Sequence, residues 1–109
     1  MKTIRLQVLA TVTAIAVVLV LSLSAHAQNA SEALYKSKCA ACHGADGTGS
    51  AMGKKLGVLD LHGAEVQKMS DAELTNVIAN GRDKMPAFGK SLKADDIQGL
   101  VAYIRTLKK

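Results

Sequence analysis

Both cysteines of the chain lie in Cys39-Ala40-Ala41-Cys42-His43, separated by two alanines and followed directly by a histidine. Two thiols at this spacing match the two vinyl groups of a haem, and each thiol can add its S–H across one vinyl double bond. The next imidazole is then delivered to one face of the iron. The pentapeptide points to covalent haem attachment and to one-electron chemistry, with the iron reacting and the chain positioning and tuning it. The other use of a C-x-x-C pair is thiol–disulfide exchange. That chemistry sits at a helix start in a βαβ setting. Here the pair closes a predicted helix, and no strand pattern competes.

His43 is the candidate proximal ligand, bound as a neutral imidazole whose second ring nitrogen is free to donate a hydrogen bond. The opposite face of the iron has four candidates: Met52, Met69, Met85 and His62. Met85 stands far along the chain from His43, in Gly81-Arg82-Asp83-Lys84-Met85-Pro86-Ala87-Phe88. This segment joins two predicted helices and can wrap to the far side of a haem. Pro86 fixes its own φ and keeps Met85 out of helical geometry, holding the loop extended. A thioether ligand favours ferrous iron relative to a second imidazole. Met52 is close to the proximal loop, Met69 precedes a helix cap and suits core filling, and His62 sits in a loop beside Gly63.

Three helices are expected to position these groups. The first runs from about Ser31 to Cys42, with Ser31 as N-cap and Glu32 in the first turn. Gly44, Gly47 and Gly49 break it into a loop. The second opens on Ser70-Asp71-Ala72-Glu73, a serine with a glutamate at the third position after it, which is a capping box. Leu74, Val77 and Ile78 form its apolar stripe and Gly81 its stop. The third runs from about Ala94 to Leu107, with Ile97, Leu100, Val101, Ile104 and Leu107 at helical spacing. Lys93 is a weak cap for it, and Gly99 in its middle predicts close packing against a neighbour. The stretch 56–61 shows no clear periodicity.

The N-terminal stretch 1–27 forms a leader. Lys2 and Arg5 give a positive start, Leu6 to Leu23 is almost wholly apolar, and Ala25-His26-Ala27 is a small-x-small cleavage site. A signal peptide over 1–27 and a domain over 28–109 are expected; the alternative is an uncleaved membrane anchor, for which the apolar run has about the minimum length. Either way the remainder lies outside the cytoplasm. The leader holds Lys2 and Arg5 and no acid, so 28–109 carries 14 − 2 = 12 basic against 9 acidic side chains, a net +3. That balance, without a basic stripe interleaved with aromatics, excludes a nucleic-acid partner. The domain has one phenylalanine, two tyrosines and no tryptophan. So thin a core gains much of its burial from a covalent haem.

Cys39-Ala40-Ala41-Cys42-His43-Gly44, Lys84-Met85-Pro86-Ala87-Phe88 and Leu100-Val101-Ala102-Tyr103-Ile104-Arg105 together resemble the class I cytochromes c. The likeness is to the small bacterial monohaem members, similar to cytochromes c6 and c5, and covers 29–109. It implies an all-α cytochrome c fold, three main helices with loops wrapped around one covalent haem c, and crossing N- and C-terminal helices. It implies thioether bonds at Cys39 and Cys42 and axial ligation of the iron by His43 and Met85. It also pairs Tyr35, one turn before the first cysteine, with Tyr103 and Ile104 at the crossing. Ser31 stands where the family often has a glycine, which predicts a wider contact there. The chain lacks the family's proximal-loop proline, and Arg82 and Lys84 are candidate stand-ins for a missing propionate partner.

The expected function is an exported, monomeric one-electron carrier between redox partner proteins, periplasmic or otherwise extracytoplasmic, and not an enzyme. Filled axial positions disfavour oxygen or peroxide chemistry. Lys54, Lys55, Lys84 and Lys90 are candidates to steer acidic partners to the haem edge. The alternative is a cytochrome subunit or domain of a larger periplasmic oxidoreductase, and a haem sensor with an open axial site is a further class. A membrane partner is expected only if the leader is retained.

Overall fold

The N-terminal run from Lys2 contains no glycine or proline, and the computed structural model, which describes residues 1–108, folds it as one helix. This helix, α1, spans Lys2–Lys38. The others are α2 (Ala40–His43), α3 (Ala51–Leu56), α4 (Ala64–Gln67), α5 (Asp71–Asn80) and α6 (Ala94–Thr106). The described residues form no strand; their only β-type pairing is an isolated antiparallel bridge between Arg82 and Met85. The architecture is all-α, as expected.

Three details differ from the sequence expectation. Ser31 is no N-cap: α1 passes straight through it, and its hydroxyl donates back to Ala27 O at 3.1 Å. Nothing between Ala25 and Ser31 breaks a helix, so the leader and the first core helix merge. The helix also does not run to Cys42. It stops at Lys38, Cys39 forms a joint, and α2 adds a single turn. Finally, α3 and α4 occupy segments without periodic signals. Ser50 caps α3, accepting from Gly53 N–H at 3.0 Å, and Gly63 precedes α4.

The remaining expectations match closely. Ser70 and Glu73 form the capping box of α5, with Ser70 N–H donating to the Glu73 carboxylate at 2.6 Å and Glu73 N–H to the Ser70 hydroxyl at 3.1 Å. Asp96 accepts from Lys93 N–H at 3.1 Å and offsets the missing side-chain cap of α6. Ile97, Leu100, Val101 and Ile104 are buried along the α6 stripe, against Leu74 and Ile78 of α5. The apolar outer part of α1 stays exposed, while Tyr35 near its end is buried in the core.

The crossing of α1 and α6 positions the site. Tyr35 and Tyr103 meet there, ring centroids 5.0 Å apart at 47°. Gly99 faces Ser31 so closely that a β-carbon would run into the serine hydroxyl. The crossing tolerates a serine on α1 because α6 supplies the glycine. Arg105 then ties α6 to the segment before α5, donating to Gln67 O at 3.0 Å, Met69 O at 2.5 Å and the Asp71 carboxylate at 2.9 Å.

Candidate cofactor site

The joint at Cys39 makes the thiol pair available. Cys39 N–H still bonds Tyr35 O at 2.8 Å, and the N–H groups of Cys42 and His43 both return to Cys39 O, at 3.2 and 2.9 Å. Cys39 and Cys42 therefore stand at i and i+3 of one helical turn, on neighbouring parts of one face. Both are free thiols and half-buried. Gly44 ends the turn with φ 79°, a left-handed backbone that suits glycine, and its N–H closes on Ala40 O at 2.9 Å.

The loop after His43 is fastened by backbone. Gly49 N–H donates to His43 O at 2.7 Å and Ser50 N–H to Cys42 O at 2.9 Å. The Ser50 hydroxyl serves two helices at once. It donates to Ala41 O at 2.7 Å, satisfying a carbonyl at the end of α2, and accepts from Gly53 at the start of α3. Sequence reasoning missed Ser50; its position immediately before Ala51-Met52-Gly53 is the N-cap signal that was present.

Met85 arrives by a different route. Gly81 leaves α5 with φ 76°, and a tight turn over Arg82 to Met85 is closed by both backbone bonds, Arg82 N–H to Met85 O at 3.2 Å and Met85 N–H to Arg82 O at 2.8 Å. Asp83 in that turn has φ 51°. Past Pro86 the chain doubles back on α5, with Phe88 N–H on Ile78 O and Gly89 N–H on Ala79 O, both at 2.9 Å. The turn leaves Met85 half-buried against the core and lining the cavity.

Cys39, Cys42, His43 and Met85 line one open cavity of about 280 Å³. Its walls are largely apolar, from Leu59, Leu74, Val77, Ile78 and Leu100 among others, while Lys38, Arg82 and Lys84 stand in its polar part. Met69 also lines it and packs against the core. Met52 is exposed and outside it. His62 is outside it too, its Nε2 in a hydrogen bond with Asp46 O. Arg82 is exposed and lies 3.8 Å from Asp83.

Burial keeps two of these groups neutral. Burial pushes the Cys39 thiol up to about 11 and holds the His43 imidazole below its ordinary value. A buried neutral imidazole suits iron ligation. His43 Nδ1 is buried and has no hydrogen-bond partner among the described residues. Nor, among those residues, do three or more His, Cys, Asp or Glu side chains gather there as a bare metal site. An iron in this cavity needs equatorial ligands of its own, which a porphyrin brings. Apolar walls, two thiols on one turn, a neutral imidazole and a thioether fit a haem.

Comparison with known proteins agrees. The stretch 26–104 matches the family described as "Cytochrome C oxidase, cbb3-type, subunit III". The cytochrome c6 of Gracilaria tenuistipitata var. liui is 35% identical over 77 residues, 70% of this chain and 68% of that protein. The cytochrome c6 of Pyropia tenera is 36% identical over 73 residues, 67% of this chain and 84% of that protein. Among solved structures, the KustC0563 c-type cytochrome superposes with a TM-score of 0.68 at 34% identity, covering 72% of this chain and 96% of that one. The chain belongs to the c-type cytochromes and has the small all-α fold of that family. Its cofactor is haem c, covalently bound, with iron.

Proposed function

We propose that 28–109 forms an extracytoplasmic monohaem carrier that passes single electrons between redox proteins, exported by the leader 1–27. Cys39 and Cys42 would hold the haem through thioether bonds, and His43 and Met85 would be the ligands of its iron. The observation that carries this reading is the meeting of all four side chains at one apolar cavity, although Met85 comes from a segment beyond α5. When bound, the haem supplies one-electron exchange between ferric and ferrous iron.

The residues have separable roles. His43 stays neutral through burial and offers a lone pair. Met85, set by the Arg82–Met85 turn, offers a soft thioether that favours the ferrous state. With His43 and Met85 both on the iron, no position would be left open for a substrate. Leu74, Val77 and Ile78 give the cavity apolar walls that disfavour water. Of the four lysines expected to steer partners, Lys84 lines the cavity and Lys54, Lys55 and Lys90 do not. Lys38, Arg82 and Lys84 outnumber Glu65 and Asp83 in the lining and would attract acidic surfaces of donor and acceptor proteins, an effect that weakens with salt. The exposed apolar stretch of α1, next to a small-x-small site, supports the export role.

The test is the visible spectrum of protein matured in a haem-attaching host, oxidised and reduced, before and after acidified organic extraction. Retained colour with a weak far-red methionine–iron band in the oxidised form is expected. Retained haem without that band rules out Met85 as ligand. Complete extraction of the haem removes the covalent reading altogether.

The matched family's description names an oxidase subunit, which favours a second reading: a cytochrome subunit of a larger oxidoreductase. Purification from native membranes distinguishes the two, since a stable multiprotein complex fits only the subunit.

A further inference from the structure

Tyr35 holds the haem-attachment segment at both ends. Its backbone carbonyl takes the N–H of Cys39 at 2.8 Å, where the segment begins. Its phenolic hydroxyl donates to Gly44 O at 2.7 Å, immediately past His43. The ring itself is 1% exposed and packed on Tyr103 of α6. The hydroxyl is thus fixed to the helix crossing, and through it the exit of the attachment segment is fixed as well.

Packing alone does not call for this hydroxyl. A phenylalanine would fill the same space against Tyr103 without the desolvation of a polar group. Burial disfavours the phenolate and pushes the hydroxyl well above the usual tyrosine range. A buried hydroxyl is tolerated when it is hydrogen-bonded, and its partner here is the Gly44 carbonyl. His43, meanwhile, has no partner for its buried Nδ1 among the described residues. Ligating histidines are ordinarily oriented through that second nitrogen. The backbone that carries His43 is held on both sides, by Gly49 N–H on His43 O and by Tyr35 on the following residue.

We propose that the Tyr35 hydroxyl is a positioning group for His43, holding the backbone from which the imidazole projects by fixing the Gly44 carbonyl. The proposal rests on the reading of His43 as the proximal ligand. Tyr35 touches neither iron nor porphyrin in this role; it acts through the backbone.

The experiment compares the haem-loaded wild type with Tyr35→Phe and Tyr103→Phe. The two variants each remove one hydroxyl from the same ring pair, and only Tyr35 places its hydroxyl on the attachment segment. In the oxidised protein, Tyr35→Phe is expected to shift the paramagnetic resonances of the haem methyls and His43, and to speed amide exchange at Gly49 roughly three- to tenfold, the loss expected of one neutral hydrogen bond. Tyr103→Phe is expected to leave both unchanged. A Tyr35→Phe protein that is merely less stable, with resonances and Gly49 exchange like those of wild type, overturns the proposal. If that variant does not accumulate, the wild type decides. A slowly exchanging Tyr35 hydroxyl proton close to Gly44 supports the clamp, and a hydroxyl exchanging freely with solvent sinks it. Failure of wild type to retain haem is a different result, and refutes the carrier reading first.

Discussion

Gly53 of α3 rests on the carbonyl oxygen of Cys42, leaving no room for a β-carbon between them. The contact is backbone against backbone, so no side chain can move aside. It lies at the second cysteine of the pair, and the same carbonyl accepts from Ser50 N–H. Gly53 is buried and lies in the first turn of a helix that Ser50 caps. The short helix α3 is thereby stacked directly on the attachment turn, and the two cannot shift independently.

Gly53→Ala is accordingly expected to cost about 1–3 kcal/mol, the range of overpacking in a closed site, despite the better helix propensity of alanine. Urea unfolding of the haem-loaded protein measures it. The yield of covalently attached haem should fall in parallel, because the Cys42 backbone must retreat. An alanine variant as stable as wild type would mean that α3 does not pack on Cys42.

Met85→Ala is expected to keep haem on Cys39 and Cys42 while losing the far-red methionine–iron band entirely. The reduction potential should fall, since the ligand that favours ferrous iron is gone, and the reduced protein should bind carbon monoxide rapidly. Stability should drop by about 2 kcal/mol, the low end for Met→Ala, because Met85 is only half-buried. A spectrum unchanged from wild type would transfer the distal role to another residue. Met69 is the alternative at the cavity.

Much of this molecule is legible in the chain because its signals are local. The Ser70–Glu73 box and the α6 stripe each lie within one helix, and the structure repeats them almost residue for residue. The attachment motif is contiguous, so its chemistry needs no fold to be read. What the chain conceals depends on partners distant in sequence. Ser50 matters because the carbonyl of Ala41, at the far side of a glycine-rich loop, needs a donor. Tyr35 looks like a packing aromatic until its hydroxyl meets Gly44. The start of the first helix is hidden for the opposite reason: with no breaker between leader and core, Ser31 carries a capping residue type but no capping geometry.

The Glu73 carboxylate gives the fold a measurable pH response. Ser70 N–H, then the Ser70 hydroxyl, hold its pKa below the ordinary value of 4.5. A depressed carboxylate contributes stability in full above its unfolded pKa and loses it as pH falls through the folded one. Wild type should therefore be more stable than Glu73→Gln at neutral pH, and the gap should close as acid protonates Glu73. Urea unfolding of both proteins at about pH 7 and about pH 3 checks the difference. Groups common to both, His43 included, cancel in the comparison. A gap that persists unchanged in acid would show that the carboxylate charge plays no part in the cap.

The crossing of α1 and α6 supplies the last test, because its two closest residues should be energetically coupled. Gly99 meets Ser31 through the serine hydroxyl alone; the Ser31 β-carbon is 3.5 Å from where a β-carbon at 99 would lie. Gly99→Ala gains helix propensity of about 1 kcal/mol, but its methyl must displace the hydroxyl from its bond to Ala27 O or push the helices apart. The second cost is expected to win, for a net loss of about 1 kcal/mol. Removing the hydroxyl removes the conflict, so in a Ser31→Ala background the same Gly99→Ala change should be neutral or stabilising. A double-mutant cycle by urea unfolding reads the coupling as at least ~0.5 kcal/mol in that direction. Strict additivity would mean the two helices do not touch at this pair. The Tyr35–Tyr103 contact one turn further along α1 would then have to hold the crossing, and with it the attachment segment, by itself.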